Sequence, residues 1–241
     1  RTSDESTDKI EGSVVWYSWT DHEILIMLIK RILTYQERNF DEETLRSMSQ
    51  YQLADFLTVV MVGRFNGIGN WKNIPIYRML MSLIRKRPRD LVKLCTLAAR
   101  EASKNRSNII QTIHFSSIFE EYSQGRIQDT INEYKSELPQ IERLIFGMKP
   151  SSRTLRTADG YIYTTSQLLS KISSIIERGQ FKFANGSVAS KTELAGFLFK
   201  INFITARKRK EDGEIDRKYF EENRYLSNTF VDFGYDWEVH P

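Results

Sequence analysis

Apolar residues recur at helical spacing along most of this chain and turn to alternation only past residue 204. Ile24, Leu25, Leu28, Ile29 and Ile32 fall on one face of a helix. Thr20 or Asp21 is placed to cap that helix, with Glu23 in its first turn. Asp41-Glu42-Glu43 starts a short helix through Met48, and Tyr51 to Val62 reads as a third that ends near Gly63. Ile74 to Ile84 follows, with Pro75 in its first turn. Pro88 is a good first-turn residue for a helix from Asp90 to Ala102. Ile109 to Tyr122 and Gly125 to Met148 read as two further helical segments, with Pro139 starting a new turn. The stretch before Val15 reads as the end of a strand and its exit loop. The first 150 residues therefore form a domain of short helices.

Pro150-Ser151-Ser152 opens a change of composition, and the domain boundary is placed there, giving domains 1–150 and 151–241. Thr165 to Arg178 is a helix with Leu168, Leu169, Ile172, Ile175 and Ile176 on its inner face. Ser190 and Glu193 have the spacing of a capping box, and the helix they start carries Leu194, Phe197, Leu198 and Ile201. Ile204 to Lys210 alternates, Asp212-Gly213 is a hairpin signal, and Ile215 to Phe220 is the return strand. Phe230 to Val239, rich in aromatic and β-branched residues, is expected to pair with that return strand as a third. Two helices followed by a hairpin is the order of a winged helix. The fold class is mainly α: a short-helix domain followed by a winged-helix-like α+β domain with a small antiparallel sheet.

Composition narrows the setting. Hydrophobic residues make up 40% and charged residues 27%, which is ordinary for a folded domain. No apolar run approaches the roughly 18–20 residues that span a bilayer, so no membrane partner is expected. One cysteine, Cys95, excludes an internal disulfide and fits a reducing, cytoplasmic setting, with Cys95 itself a buried small hydrophobe. His22, His114 and His240 are too far apart in sequence to form a recognisable zinc motif, so no metal site is expected. The net charge of +4 conceals two basic segments: residues 71–110 carry 10 basic and 2 acidic groups, and residues 151–210 carry 11 and 3. These are two places where anions could be met, or else solvated helix faces.

Catalytic signatures are missing. The chain has no Gly-x-x-x-x-Gly-Lys-Ser/Thr, no Gly-x-Ser-x-Gly, no His-Glu-x-x-His and no paired cysteines. The loop Asn66-Gly67-Ile68-Gly69-Asn70 has the glycines of a phosphate cradle but lacks the Gly-Lys-Ser/Thr ending. Arg87-Pro88-Arg89-Asp90 is the strongest local feature. An arginine at a helix start joins unpaired N–H groups and a partial positive charge, which suits a phosphate. The competing reading has Arg89 paired with a nearby carboxylate and Asp90 capping the helix. Arg207, Lys208, Arg209 and Lys210, with Arg217 and Lys218 across the turn, form a basic wing suited to nucleic-acid phosphates. Glu211, Asp212, Glu214 and Asp216 lie in the same hairpin and are placed to neutralise it.

Four pieces of sequence together resemble the C-terminal half of AAA-like and STAND-class P-loop ATPases, in particular a family of bacterial predicted P-loop ATPases. Arg1-Thr2-Ser3-Asp4 through Asp8-Lys9-Ile10 looks like the exit of the last core strand, which assigns residues 1–15 to the end of an ATPase core. Trp19 with His22 to Arg31 is similar to the first lid helix. Arg87-Pro88-Arg89-Asp90-Leu91 with Cys95 looks like the lid motif. Tyr122-Ser123, Arg126, Glu133-Tyr134 and Pro139 resemble the segment that joins lid to winged helix. The resemblance implies that Arg89 reaches the γ-phosphate in a second-sensor role, that Pro88 lies near the adenine and that Arg1 stands near the first-sensor position. ATP would then be the cofactor. Its Mg²⁺ would be held by an N-terminal core outside these residues, and neither would be bound by this chain alone. On this reading the chain is a fragment, and the partners that it could have are that core, DNA or RNA, and further copies of itself in a homo-oligomer. The class also implies nucleotide-switched sensing, with a role in antiviral defence. Two alternatives stand beside it: a stand-alone winged-helix DNA-binding regulator, and a protein-interaction adaptor that uses the wing and Tyr235 and Trp237.

Overall fold

A computed structural model describes residues 19–68, 71–150, 161–209, 215–229 and 234–239. The molecule is mainly α-helical with a small antiparallel sheet. Helix α1, Asp21–Tyr35, begins where its cap requires: Glu23 Oε2 accepts from Thr20 N at 2.8 Å, and Thr20 Oγ1 accepts from Glu23 N at 3.2 Å. Its apolar stripe, including Ile24, Leu25 and Ile29, is fully buried. Asp41 caps α2, Glu42–Ser47, and Ser49 with Gln52 boxes the start of α3, Gln50–Asp55. The helix expected over 51–62 divides here, because α3 gives way to a 3₁₀ turn over Phe56–Val59.

A two-residue hairpin follows, β1 at Arg64–Phe65 and β2 at Ile74–Pro75. This corrects the expectation that Ile74 opens a helix. Ile74 pairs with Phe65, and α4 starts two residues later at Ile76–Leu83. The proline explains the shift: its fixed φ serves as the N-cap of α4 as well as the end of the strand. Two long helices complete the first part, α5 at Pro88–Lys104 and α6 at Thr112–Tyr134.

Helix α6 corrects a second expectation. The segments 109–122 and 125–148 are not two helices that meet near Gly125. One 23-residue helix runs through Gly125 to Tyr134, and a separate short helix, α7, follows at Ile141–Gly147. A Cβ at position 125 would come within 2.8 Å of Lys93 Nζ on α5. The glycine therefore admits the neighbouring side chain and does not break the helix.

In the second part, β3 at Ile162–Tyr163 leads into α8, Thr165–Ile176, which Thr164 and Gln167 box. The box of Ser190 and Glu193 starts α9, Lys191–Lys200, as its spacing requires. Strand β4, Ile204–Arg209, pairs with β5, Ile215–Lys218. Phe220–Glu222 forms a 3₁₀ turn, α10 spans Tyr225–Thr229, and β6 spans Asp236–Val239. The sheet order is β3-β6-β4-β5, all antiparallel. So β6 pairs with β4 and not, as expected, with β5, and β3 is a strand that the sequence did not announce. The cause is burial. Ile204, Thr205 and Ala206 of β4 are buried and need a covered neighbour, and β6 brings buried Trp237 and Val239 into register beside them. Trp237 Nε1 donates to Thr165 Oγ1 at 3.0 Å, and its ring meets Phe199 edge-on at 5.5 Å. The polar β5 remains at the sheet edge.

The buried apolar residues form two clusters. One runs from Ile24 to Tyr122, the other from Ile131 to Val239, and α6 carries residues of both. The clusters part within α6, whereas the change of composition lies downstream at Pro150. Among the described residues, no helix is long and apolar enough to cross a membrane.

Candidate functional site: the start of α5 and the basic hairpin

Two features of the sequence met the requirements for an anion. The first is the corner between α4 and α5. Arg85 and Lys86 take left-handed backbone angles, φ 46° and 54°, so the chain turns sharply before the N-cap at Arg87. Pro88 is the first helical residue and is half-buried. Arg89 is exposed, and no hydrogen bond or ion pair holds its guanidinium among the described residues.

Asp90 does not cap α5. It turns inward, 1% exposed, with Oδ1 2.7 Å from Arg126 Nη1 on α6. That contact is short but poorly aligned, so neither atom completes a hydrogen bond. Two flanking ion pairs also tie the helices: Arg87 Nη1 to Glu133 at 3.1 Å and Lys93 Nζ to Asp129 at 3.1 Å. Positions 87, 90 and 93 recur at intervals of three and share the face toward α6, which leaves Arg89 on another face. Burial pushes the Asp90 carboxyl above the usual range, against the pull of Arg126 and the neighbouring arginines. Buried Arg85 is pushed down to about 10, first by desolvation and then by the like charge of Arg126.

The second feature is the β4–β5 hairpin. Arg217 makes a two-pronged contact with Glu238 of β6, Nε to Oε2 at 2.6 Å and Nη2 to Oε1 at 3.2 Å. Arg207 Nε lies 3.9 Å from the same carboxylate, and Lys218 pairs with Asp216 at 3.3 Å. Lys208 and Arg209 are exposed, with Lys208 Nζ 5.8 Å from the centre of the Tyr235 ring. Lys210 and Arg1 lie outside the described residues. Glu238 is the carboxylate that the sequence reading missed. Nothing local marks it, since it reaches Arg217 only because β6 lies beside β4.

The remaining candidates carry structural duties. Asn66 N donates to Thr112 Oγ1 and Gly67 N to Trp71 O, so the described part of that loop is tied back to the protein. His22 contacts the Arg46 carbonyl, and His114 accepts from Gln111 N. Cys95 packs against the first core, and desolvation pushes its thiol up to about 12. Among the described residues, no group of three or more His, Cys, Asp or Glu side chains is placed to hold a metal. No protein-family model matches the chain, nor does any curated protein or solved structure.

Proposed function

We propose that this chain is the lid-like helical part and wing-bearing α+β part of a P-loop ATPase, with Arg89 as its contact to the nucleotide phosphates. Arg89 itself carries the reading. It is exposed at the second position of a 17-residue helix and is free of protein partners among the described residues. Every other arginine of the α4–α5 corner is buried or paired. A helix start favours negative charge, and a guanidinium there adds a planar fork that matches a phosphate. Such a group stabilises charge during phosphoryl transfer but does not itself perform the transfer, so the phosphate loop and the Mg²⁺ ligands belong to a core outside these residues. When ATP is bound, that core supplies the chemistry.

Joined to that core, Arg89→Ala is expected to bind nucleotide nearly as before and to lose about 100-fold in turnover. Unchanged turnover would remove Arg89 from the role. The wing couples this nucleotide state to a partner. Pairing of Arg207, Arg217 and Lys218 with carboxylates favours a protein partner there over a nucleic acid.

A further inference from the structure

Helix α6 is the element that both hydrophobic clusters share, and among the described residues the chain passes from the first to the second once, between Tyr122 and Ile131. The side chains that α6 buries in that interval, Arg126 and Thr130, are polar. Apart from α6, no helix or strand of the first part has more than slight contact with one of the second among the described residues. The seam between the parts is therefore thin and polar. Parts joined in this way are expected to move relative to each other unless something fastens them.

A fastening stands away from α6, at the α4–α5 corner. Lys86 Nζ lies 2.6 Å from Glu222 Oε1, 136 positions along the chain, in the 3₁₀ turn that follows β5. The same ammonium is 5.2 Å from the centre of the Tyr219 ring. Asp21, the first residue of α1, is near enough to interact with both Lys86 and Glu222. The next cation, Arg87, reaches Glu133 in the last turn of α6. Two adjacent residues of the corner thus grip two elements beyond the seam. The grip of Lys86 is of a kind that can be released. Its side chain is 24% exposed and that of Glu222 38%, so water and salt screen the pair. The buried pair of Asp90 and Arg126 would be far costlier to part.

We propose that Lys86, with Glu222 and Tyr219, is a reversible clasp that sets the angle between the two parts of the molecule. With the clasp closed, the 3₁₀ turn and the sheet behind it are held to the α4–α5 corner. With the clasp released, α6 tilts and carries the second part with it. Lys86 precedes Arg89 by three residues, so the clasp and the exposed arginine share one corner. The proposal goes beyond the ATPase reading and requires no nucleotide.

The test uses the 241-residue chain with spin labels at two exposed positions, Ser103→Cys on α5 and Lys191→Cys on α9, in a Cys95→Ala background. Electron–electron double resonance reads the distance between them. Lys86→Glu and Glu222→Lys each place like charges at the contact. Each is expected to shift the mean distance by about 3 Å or more, the displacement that a tilt of about 5° gives over the length of α6. Combining the two reversals restores opposite charges and is expected to recover at least about half of the shift. Lys86→Gln removes the attraction without adding repulsion, is expected to shift the distance in the same direction, and decides the matter if a reversal does not fold. Folded single variants that keep the wild-type distance, or a double reversal that recovers less than half of the shift, overturn the proposal. Arg89→Ala, which tests the nucleotide contact, leaves the distance unchanged, so the two readings fail separately.

Discussion

Asp90 and Arg126 show how much one buried pair can demand of its surroundings. The carboxylate is 1% exposed and faces a guanidinium whose side chain is 6% exposed. Removing one partner leaves the other charge buried and uncompensated, and here Arg85 adds a like charge nearby. Asp90→Asn is therefore expected to destabilise the protein by about 3–5 kcal/mol, measurable by urea unfolding. A cost below about 1 kcal/mol would show that the cluster is relieved by rearrangement. The sequence did place an arginine and an aspartate at this helix start, and the reading that competed with a phosphate site had Asp90 capping the helix. The inward turn depends on Arg126, 36 residues away, and no local signal carries that distance.

At the scale of elements, legibility follows the range of the interaction. The starts of α1, α2 and α9 were readable because a cap is settled within three residues, as Thr20 with Glu23, Asp41 with Thr44 and Ser190 with Glu193 demonstrate. The Ser190 box is also testable. Ser190→Ala should cost about 1 kcal/mol. The hydrogen bonds from Ser190 hold the Glu193 carboxyl below its usual 4.5. A lowered folded-state value means stability that is present above 4.5 and fades as pH falls through that lowered value. The difference between wild type and Ser190→Ala should therefore shrink in acid; a constant difference would exclude the carboxylate. By contrast, the close approach of Lys93 to Gly125 and the position of β6 beside β4 join residues far apart in sequence. Both are tertiary facts, and periodicity is silent on them. For the same reason Lys208 and Arg209 could not be told in advance from Arg217 and Lys218, which pair with carboxylates.

For the whole molecule, the surface charge predicts how nucleic acid would be met. If the hairpin contacts duplex DNA through Lys208 and Arg209 alone, two phosphates are neutralised, and the logarithm of affinity falls against that of salt with a slope of about −2. A titration at several chloride concentrations that gives a slope steeper than about −4 would mean that further cations take part, and would favour the nucleic-acid reading of the wing over a protein partner. The two hydrophobic clusters bear on a different matter. Helix α6 places Phe115, Ile118 and Tyr122 in one and Ile131 in the other. At 1.5 Å per residue its 23 residues form a rod about 34 Å long. A rod anchored at both ends cannot absorb a tilt locally. Were the α5 end to swing by about 5°, the far end would move about 3 Å over that length, enough to shift the packing of α7 and, through it, the sheet. A tilt of this helix is therefore expected to be felt in both clusters at once.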